Sequence, residues 1–328
     1  MTGPTQPENL PAFRPAWWLR GAHLQTLWGG LLRSPDKVEL KRERLELRDG
    51  DFLDLDWLAG PTDAPLVVLL HGLAGSSQSP YMRSVLAALE RRGMRAVVMH
   101  FRGCGGEPNR LPRAYHSGET GDLGEFLEHL ATRESTTRLA AMGFSLGGNV
   151  LLKHLGEEGA ATPLKAAVAV SVPYELAASS ERLNRGVSRF YRGWLLRKIR
   201  RDVRAKAKVL VDAGIDVQRV LAARSLRELD EHLTAPLHGF DDADDYYARC
   251  SSRPFVAKIR RATLMVHALN DPFLLPSVVP EPEECGPLVE QMTSRDGGHV
   301  GFLGGSVPGC SKSWLDGPPL DWLQAQLD

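Results

Sequence analysis

The pattern of apolar and polar positions changes twice along the chain, and each change marks a different kind of structure. Arg44-Leu45-Glu46-Leu47-Arg48 alternates, Asp49-Gly50-Asp51 supplies a turn, and Phe52-Leu53-Asp54-Leu55-Asp56-Trp57 alternates again. Alternation at period two predicts a hairpin with one face on the core and one in water, as at an antiparallel edge. From Pro65 the texture switches to continuous apolar runs at Leu66–Leu70, Ala96–Met99, Leu139–Met142, Ala166–Ser171 and Ala262–Ala268. Runs of that length read as strands buried on both faces. Helical patterns lie between them, from about Tyr81 to Arg92 with Gly93 as the stop, and from near Thr120, as N-cap, to Ala131. Strand alternating with helix predicts an α/β fold with a mostly parallel central sheet and helices on both of its faces.

The second change comes after Pro173, where the strands stop. Residues 174–254 show helical patterns only, after which Ala262–Ala268 resumes the sheet, Pro287–Thr293 supplies a last strand and Leu320–Leu327 a closing helix. The expected organisation is an N-terminal arm over 1–36, a first core part over 37–173, a helical cap inserted over 174–254 and a second core part over 255–328. The stretch 304–319 is glycine- and proline-rich.

Composition narrows the partners. Lys plus Arg and Asp plus Glu both number 40, so the formal net charge is zero and no global field favours nucleic acid. Cys104, Cys250, Cys285 and Cys310 have neither Cys-x-x-Cys nor metal-ligand spacing, which fits reduced thiols in a cytoplasmic protein. No basic-then-apolar leader and no apolar run of about 18 residues is present, so neither a signal peptide nor a spanning helix is expected. Two segments leave a lipid surface open as a peripheral contact. Trp17, Trp18 and Trp28 crowd the arm, where packing on the main domain is the simpler expectation. Residues 181–208 carry eleven Lys or Arg against Glu181 and Asp202, with Val187, Tyr191, Trp194, Leu195, Ile199 and Val203 at helical spacing. The acidic stretch 227–245 is the expected internal counter-charge. Its Asp241, Asp242, Asp244 and Asp245 read as a helix start, not as a metal site.

The candidate chemistry sits at the strand ends. Gly143-Phe144-Ser145-Leu146-Gly147 is a Gly-x-Ser-x-Gly turn with a strand before it and a helix after it, the setting that lifts a serine hydroxyl clear of its backbone. Asp271, in Asn270-Asp271-Pro272-Phe273, and His299, in Gly298-His299-Val300-Gly301-Phe302, each follow a predicted strand. The chain order Ser, Asp, His is that of the α/β-hydrolase triad. In that reading His299 takes the Ser145 proton and Asp271 orients the imidazole. The Leu73 and Leu146 N–H groups form the oxyanion hole. His71, Gly72, Phe144 and Arg102, beside these stretches, are the candidate pocket residues. His100 and His267 read as structural or pocket-lining.

Several of these stretches together resemble the YheT-like esterases, the AB-hydrolase-4 family of the α/β-hydrolase superfamily. They are His23-Leu24-Gln25-Thr26, His71-Gly72-Leu73-Ala74-Gly75-Ser76, Phe101-Arg102-Gly103-Cys104-Gly105-Gly106-Glu107, Tyr115-His116-Ser117-Gly118-Glu119-Thr120 with Asp122, Gly143-Phe144-Ser145-Leu146-Gly147-Gly148-Asn149, His238-Gly239-Phe240, Asp245-Tyr246-Tyr247, and the Asp271 and His299 stretches above. The resemblance covers most of the chain. It implies carboxylic ester hydrolysis with the triad on Ser145, Asp271 and His299, and no cofactor or metal. Eukaryotic relatives in this family include lipid hydrolases and acyl-CoA:alcohol acyltransferases, often membrane-anchored, and the missing anchor fits the soluble bacterial branch. The expectation is a serine esterase for short- to medium-chain acyl esters, acting on a small-molecule ester with no obligate protein partner. The alternatives are an acyltransferase to an alcohol, an acylglycerol or phospholipid lipase, and a non-enzymatic binding module.

Overall fold

The computed structural model describes residues 7, 10–32 and 37–328. The rest of the expected arm, residues 1–6, 8–9 and 33–36, lies outside the described residues. Ten strands are described: β1 (Lys41–Glu46), β2 (Phe52–Leu58), β3 (Leu66–Leu70), β4 (Arg95–Met99), β5 (Leu139–Phe144), β6 (Leu164–Val170), β7 (Ala262–Ala268), β8 (Val289–Ser294), β9 (Leu303–Val307) and β10 (Cys310–Ser313). The first eight form one sheet in the order β1-β2-β4-β3-β5-β6-β7-β8. Pairing is antiparallel from β1 through β2 to β4 and parallel from there on.

The helices are α1 (Ala22–Leu27), α2 (Pro80–Arg91), α3 (Gly121–Arg133), α4 (Leu146–Glu158), α5 (Leu176–Arg182), α6 (Ser188–Ala205), α7 (Ala207–Asp212), α8 (Val217–Ala222), α9 (Leu226–Leu229), α10 (Ala235–His238), α11 (Ala243–Cys250) and α12 (Pro318–Ala325). The apolar strands need cover on both faces and receive it. Val67, Leu69, Val98, Met142, Val168 and Val266 pack against Met82, Val85 and Leu86 of α2 and Leu320 and Leu323 of α12. Leu66, Val68, Leu70, Val97, Ala141 and Ala169 face the other way, onto Leu123, Phe126 and Leu127 of α3 and Val150, Leu151 and Leu155 of α4.

The expected wet face of the hairpin is only half right. β1 is the exposed edge, but β2 lies between β1 and β4, so its polar side is buried: Asp54 and Asp56 are each 4% exposed. The register explains how they are tolerated, since Arg42 stands opposite Asp56 and Arg44 opposite Asp54. Arg44 Nε donates to Asp54 at 2.9 Å. Asp56 accepts from Arg42, from Ser77 Oγ at 2.6 Å and from His100 Nε2 at 2.8 Å. Burial pushes the Asp56 carboxyl up, but the hydrogen bonds from His100, Arg42 and Ser77 outweigh it and hold the group well below the usual carboxylate range.

Two further expectations are corrected. Thr120 does not cap α3: its own backbone is helical (φ −92, ψ −16), and its hydroxyl turns instead to Glu157 at 2.7 Å. In the glycine-rich stretch after His299, β9 and β10 form a separate antiparallel hairpin closed at Gly309 (φ 83). The hairpin is held by the arm, where buried Gln25 accepts the Leu303 N–H at 2.7 Å and donates to Leu303 O at 3.0 Å, while Trp18 and Trp28 pack beside Leu303. The basic and acidic halves of 174–254 do not neutralise each other, for among the described residues no ion pair joins them. Arg185 pairs with Glu181, Arg201 with Asp202, and Lys208 with Asp212, while Arg227 pairs with Asp244 inside the acidic half. Asp242 is indeed an N-cap, accepting the Asp245 N–H at 2.8 Å.

Asp56→Asn is expected to cost on the order of 3 kcal/mol near neutral pH by leaving Arg42 and His100 without their carboxylate. Because the folded group titrates below its unfolded value, its ionic contribution is present above about pH 4 and is lost as the pH falls further. Urea unfolding of the two proteins at neutral pH and at about pH 3 should show the gap narrowing in acid.

Candidate active site

Ser145 sits between β5 and α4 with φ 52 and ψ −118, a left-handed conformation rare for a residue with a Cβ. The turn closes because two glycines permit backbone contact. A Cβ on Gly143 would lie 2.5 Å from Gly147 O, and one on Gly147 would lie 2.6 Å from both Leu70 O and His71 O. The Ser145 N–H bonds Val170 O at 2.8 Å, and Ser145 O accepts the Asn149 N–H at 3.0 Å, which anchors the turn to β6 and α4.

The carboxyl ends of β5, β7 and β8 bring three distant residues together. His299 Nε2 lies 3.0 Å from Ser145 Oγ, and His299 Nδ1 lies 2.8 Å from Asp271 Oδ2. Asp271 is buried (3% exposed), and its other oxygen accepts the Phe273 N–H at 2.7 Å. That hydrogen bond to Asp271 places the imidazole proton on Nδ1 and leaves Nε2 free to accept from the serine hydroxyl. Ser145 and His299 both line a cavity of about 860 Å³, walled by Leu73, Leu146, Leu183, Leu195, Leu226 and Phe273. Helices between β6 and β7 supply much of its wall.

A profile described as "alpha/beta hydrolase fold" matches residues 65–306. The chain belongs to the α/β-hydrolase fold family. Within that family it is 42% identical to "Putative esterase YheT" of Escherichia coli (strain K12), over 96% of this chain and 94% of the relative, which bears out the resemblance to YheT-like esterases. It is 31% identical to "Phospholipase ABHD3" of Mus musculus, over 98% of this chain and 80% of the relative. Among solved structures, the Pyrococcus furiosus esterase Pf2001 superposes with a TM-score of 0.53 over 90% of this chain and 95% of that one, at 17% identity, a likeness of fold alone.

In this hydrolase the loop after β3 runs beside Ser145 because β3 and β5 are neighbours. Its amides are tied down on either side of Leu73. Gly72 N–H donates to Tyr81 OH at 2.9 Å and Ala74 N–H to Tyr115 OH at 2.9 Å, while Ala74 (φ 53) has its carbonyl held by Lys198 Nζ at 2.9 Å. Leu146 opens α4, so its N–H has no carbonyl one turn earlier.

The expected pocket residues fare unevenly. Gly72 borders the cavity. His71 does not: it is fully buried, with Nδ1 at 2.8 Å from Gly72 O and Nε2 accepting the Phe101 N–H at 3.2 Å, and burial pushes it down to about 3. Phe144 does not line the cavity either and is fully buried against the Tyr81 ring. Arg102 touches the cavity edge, but its guanidinium is committed to Asp122 at 2.7 and 2.8 Å, Asp51 at 3.0 Å and Asp49 at 2.8 Å, making it a clamp between the hairpin turn and α3.

Sequence reasoning missed the residues that hold the histidine. His299 N–H donates to Thr26 Oγ1 at 2.9 Å, Gly298 N–H to Asn270 Oδ1 at 3.0 Å, and Val300 N–H to Ser171 Oγ at 3.1 Å. The Phe273 ring stacks on the imidazole at 4.1 Å between centroids and 2° between planes. The available signal was the pair of motifs around Thr26 and Asn270, whose side chains had no assigned task.

One trio could be taken for a metal site. The ligand atoms of His116, Glu119 and His238 lie within 4.8 Å of one another. The protein already uses most of them. His116 Nδ1 accepts the Gly118 N–H at 3.1 Å, which puts the ring proton on Nε2, facing Glu119, and Glu119 itself takes Arg113 at 2.7 Å and the Gly121 N–H at 3.1 Å. The donor set fits a hydrogen-bonded cluster better than a cation.

Arg102→Met is expected to lower stability by about 3–5 kcal/mol, because it strands buried Asp51 and Asp122. Urea titration gives the loss. The KM of the folded protein for a soluble ester should stay near the wild-type value, whereas a pocket role would raise it.

Proposed function

We propose that the protein hydrolyses carboxylic esters through an acyl-enzyme on Ser145. The observation that carries this reading is the continuous hydrogen-bonded chain from Asp271 through His299 to a serine hydroxyl that opens on a largely apolar cavity. Ser145 Oγ attacks the ester carbonyl as His299 Nε2 takes its proton. The Leu73 and Leu146 N–H groups receive the oxyanion, and His299 returns the proton to the departing alcohol. Water, activated by the same imidazole, then releases the acid. Asp271 keeps the imidazole in the required tautomer and stabilises its charged form. No step calls for a cofactor.

A lipid-class ester is the second reading. A cavity of about 860 Å³ stands near the top of the range for small-molecule sites and has room for a longer acyl chain than a short ester needs. The relative named as a phospholipase, aligned over 98% of this chain, supports the same direction.

Ser145→Ala should cut turnover of a soluble ester by at least about 10⁴-fold with the circular dichroism unchanged. Turnover close to wild type would remove Ser145 from the mechanism. A chain-length panel with and without added alcohol then separates short esters from lipid-class substrates and hydrolysis from acyl transfer. Lys198→Met should lower kcat on the order of tenfold to a hundredfold with little change in KM, since Lys198 fixes the carbonyl one residue beyond Leu73. A change confined to KM would instead make Lys198 a substrate contact.

A further inference from the structure

The outer face of α6 is unlike the rest of the surface. Its inner side buries Tyr191, Leu195, Leu196 and Val203. Outward, Val187 just before the helix and Phe190 and Trp194 within it are 61%, 60% and 39% exposed, and they fall one helical turn apart on one stripe. Phe190 and Trp194 also line the cavity that holds Ser145. Leu24 of α1, 50% exposed, stands close by, because its neighbour His23 bonds Tyr191 OH at 3.0 Å and stacks on that ring. Large apolar side chains therefore rim the cavity on α6 and flank it on α1.

The same helix is strongly basic. Asp202 is its single acid, against seven Lys or Arg. Lys198 turns inward to Ala74 O, and Arg200 reaches Ala223 O. Arg189, Arg197 and Arg204 are exposed, and none has a carboxylate partner among the described residues. The acidic residues of 227–245 are engaged elsewhere, in Arg227–Asp244, Arg249–Asp245 and the Tyr247–Asp230 hydrogen bond.

We propose that this face docks the protein on an anionic lipid surface, with Val187, Phe190, Trp194 and Leu24 entering the headgroup boundary and Arg189, Arg197 and Arg204 meeting the negative charge. An amphipathic helix with aromatic and aliphatic residues on one part of its exposed face and arginines on the rest is suited to lying in such an interface. The charge selects an anionic surface, and the position of the apolar residues selects lipid over nucleic acid or an acidic protein. Phe190 and Trp194 among them line the cavity that holds Ser145, so an acyl chain leaving the bilayer beside them passes to Ser145 without crossing water. The proposal rests on reading the cavity as the acyl site, but docking itself needs no turnover.

The test is vesicle flotation with the Ser145→Ala protein, so that no lipid is consumed, using phosphatidylcholine vesicles with and without phosphatidylglycerol. The comparison protein adds V187S, R189S, R197S and R204S, none of which lines the cavity. The expected result is partition to the phosphatidylglycerol vesicles only, weakened by salt, and reduced roughly a hundredfold in the fourfold variant, at about fivefold per arginine. The same four substitutions with Ser145 present should leave soluble-ester turnover at the wild-type level, which shows that the variant is folded. Absence of partition, equal partition to neutral vesicles, an unaffected variant, or binding to a single-stranded oligonucleotide in place of vesicles would each overturn the proposal. Loss of the hydrolase reading would appear separately, as vesicle binding without ester turnover in the Ser145 protein.

Discussion

A single residue with its backbone in a disfavoured region organises this molecule. Ser145 holds φ 52 and ψ −118, a conformation that costs on the order of 1–3 kcal/mol and persists only where the surroundings impose it. Here the imposition comes from β5 and α4 meeting at a separation only glycine allows, and from backbone hydrogen bonds to Val170 and Asn149. The consequences run outward. Ser145 borders the cavity, Leu146 opens α4 beside the same space, and β3, as the neighbour of β5, delivers the loop containing Leu73 next to it. The heavily apolar sheet is what makes the strained turn sustainable, since neither β5 nor α4 can shift without opening a core filled on both faces.

The rest of the site is a matter of bringing His299 to that hydroxyl and keeping it there. Its loop follows β8 but is not positioned by β8 alone. Thr26 from the arm, Asn270 from the loop after β7 and Ser171 from the end of β6 each accept one backbone N–H of Gly298, His299 or Val300. Phe273 covers the imidazole, and Tyr191 of α6 packs on Phe273 in turn. The arm thereby helps to hold the candidate site, although none of its side chains is given a chemical step. It is also what folds the β9–β10 hairpin down, through Gln25. The helices between β6 and β7 join the same network from the other side, through Lys198 on the Ala74 carbonyl and Tyr191 on His23.

Much of this was legible in the chain because burial writes a simple pattern. The unbroken run at Leu66–Leu70 and the mainly apolar one at Ala262–Ala268 match their strands residue for residue, since both faces of a covered parallel sheet favour apolar side chains. Ser145, Asp271 and His299 stood out because triad chemistry constrains residue type and the α/β-hydrolase fold constrains chain order. What stayed hidden depended on cross-chain partners. Asp54 and Asp56 look like surface positions until Arg42 and Arg44 are placed opposite them. Arg102 and His71 look like pocket residues from their neighbours in sequence, yet the strand ends turn their side chains into ion and hydrogen-bond clusters beneath the loop. Gly304 and Gly305 argue against a strand, and only the docking of Leu303 onto Gln25 makes one form there. The neutralising role assigned to the acidic stretch failed for a related reason, because its carboxylates find partners within their own half.

The central claim is that His299 activates Ser145. The most direct measurement is the rate of labelling by a fluorophosphonate, with the modified residue mapped by mass spectrometry, in the wild-type protein and in His299→Ala. A single label on Ser145 and a large fall in labelling rate without the imidazole are expected. A label elsewhere, none on the folded wild-type protein, or an equal rate in the two proteins would contradict it.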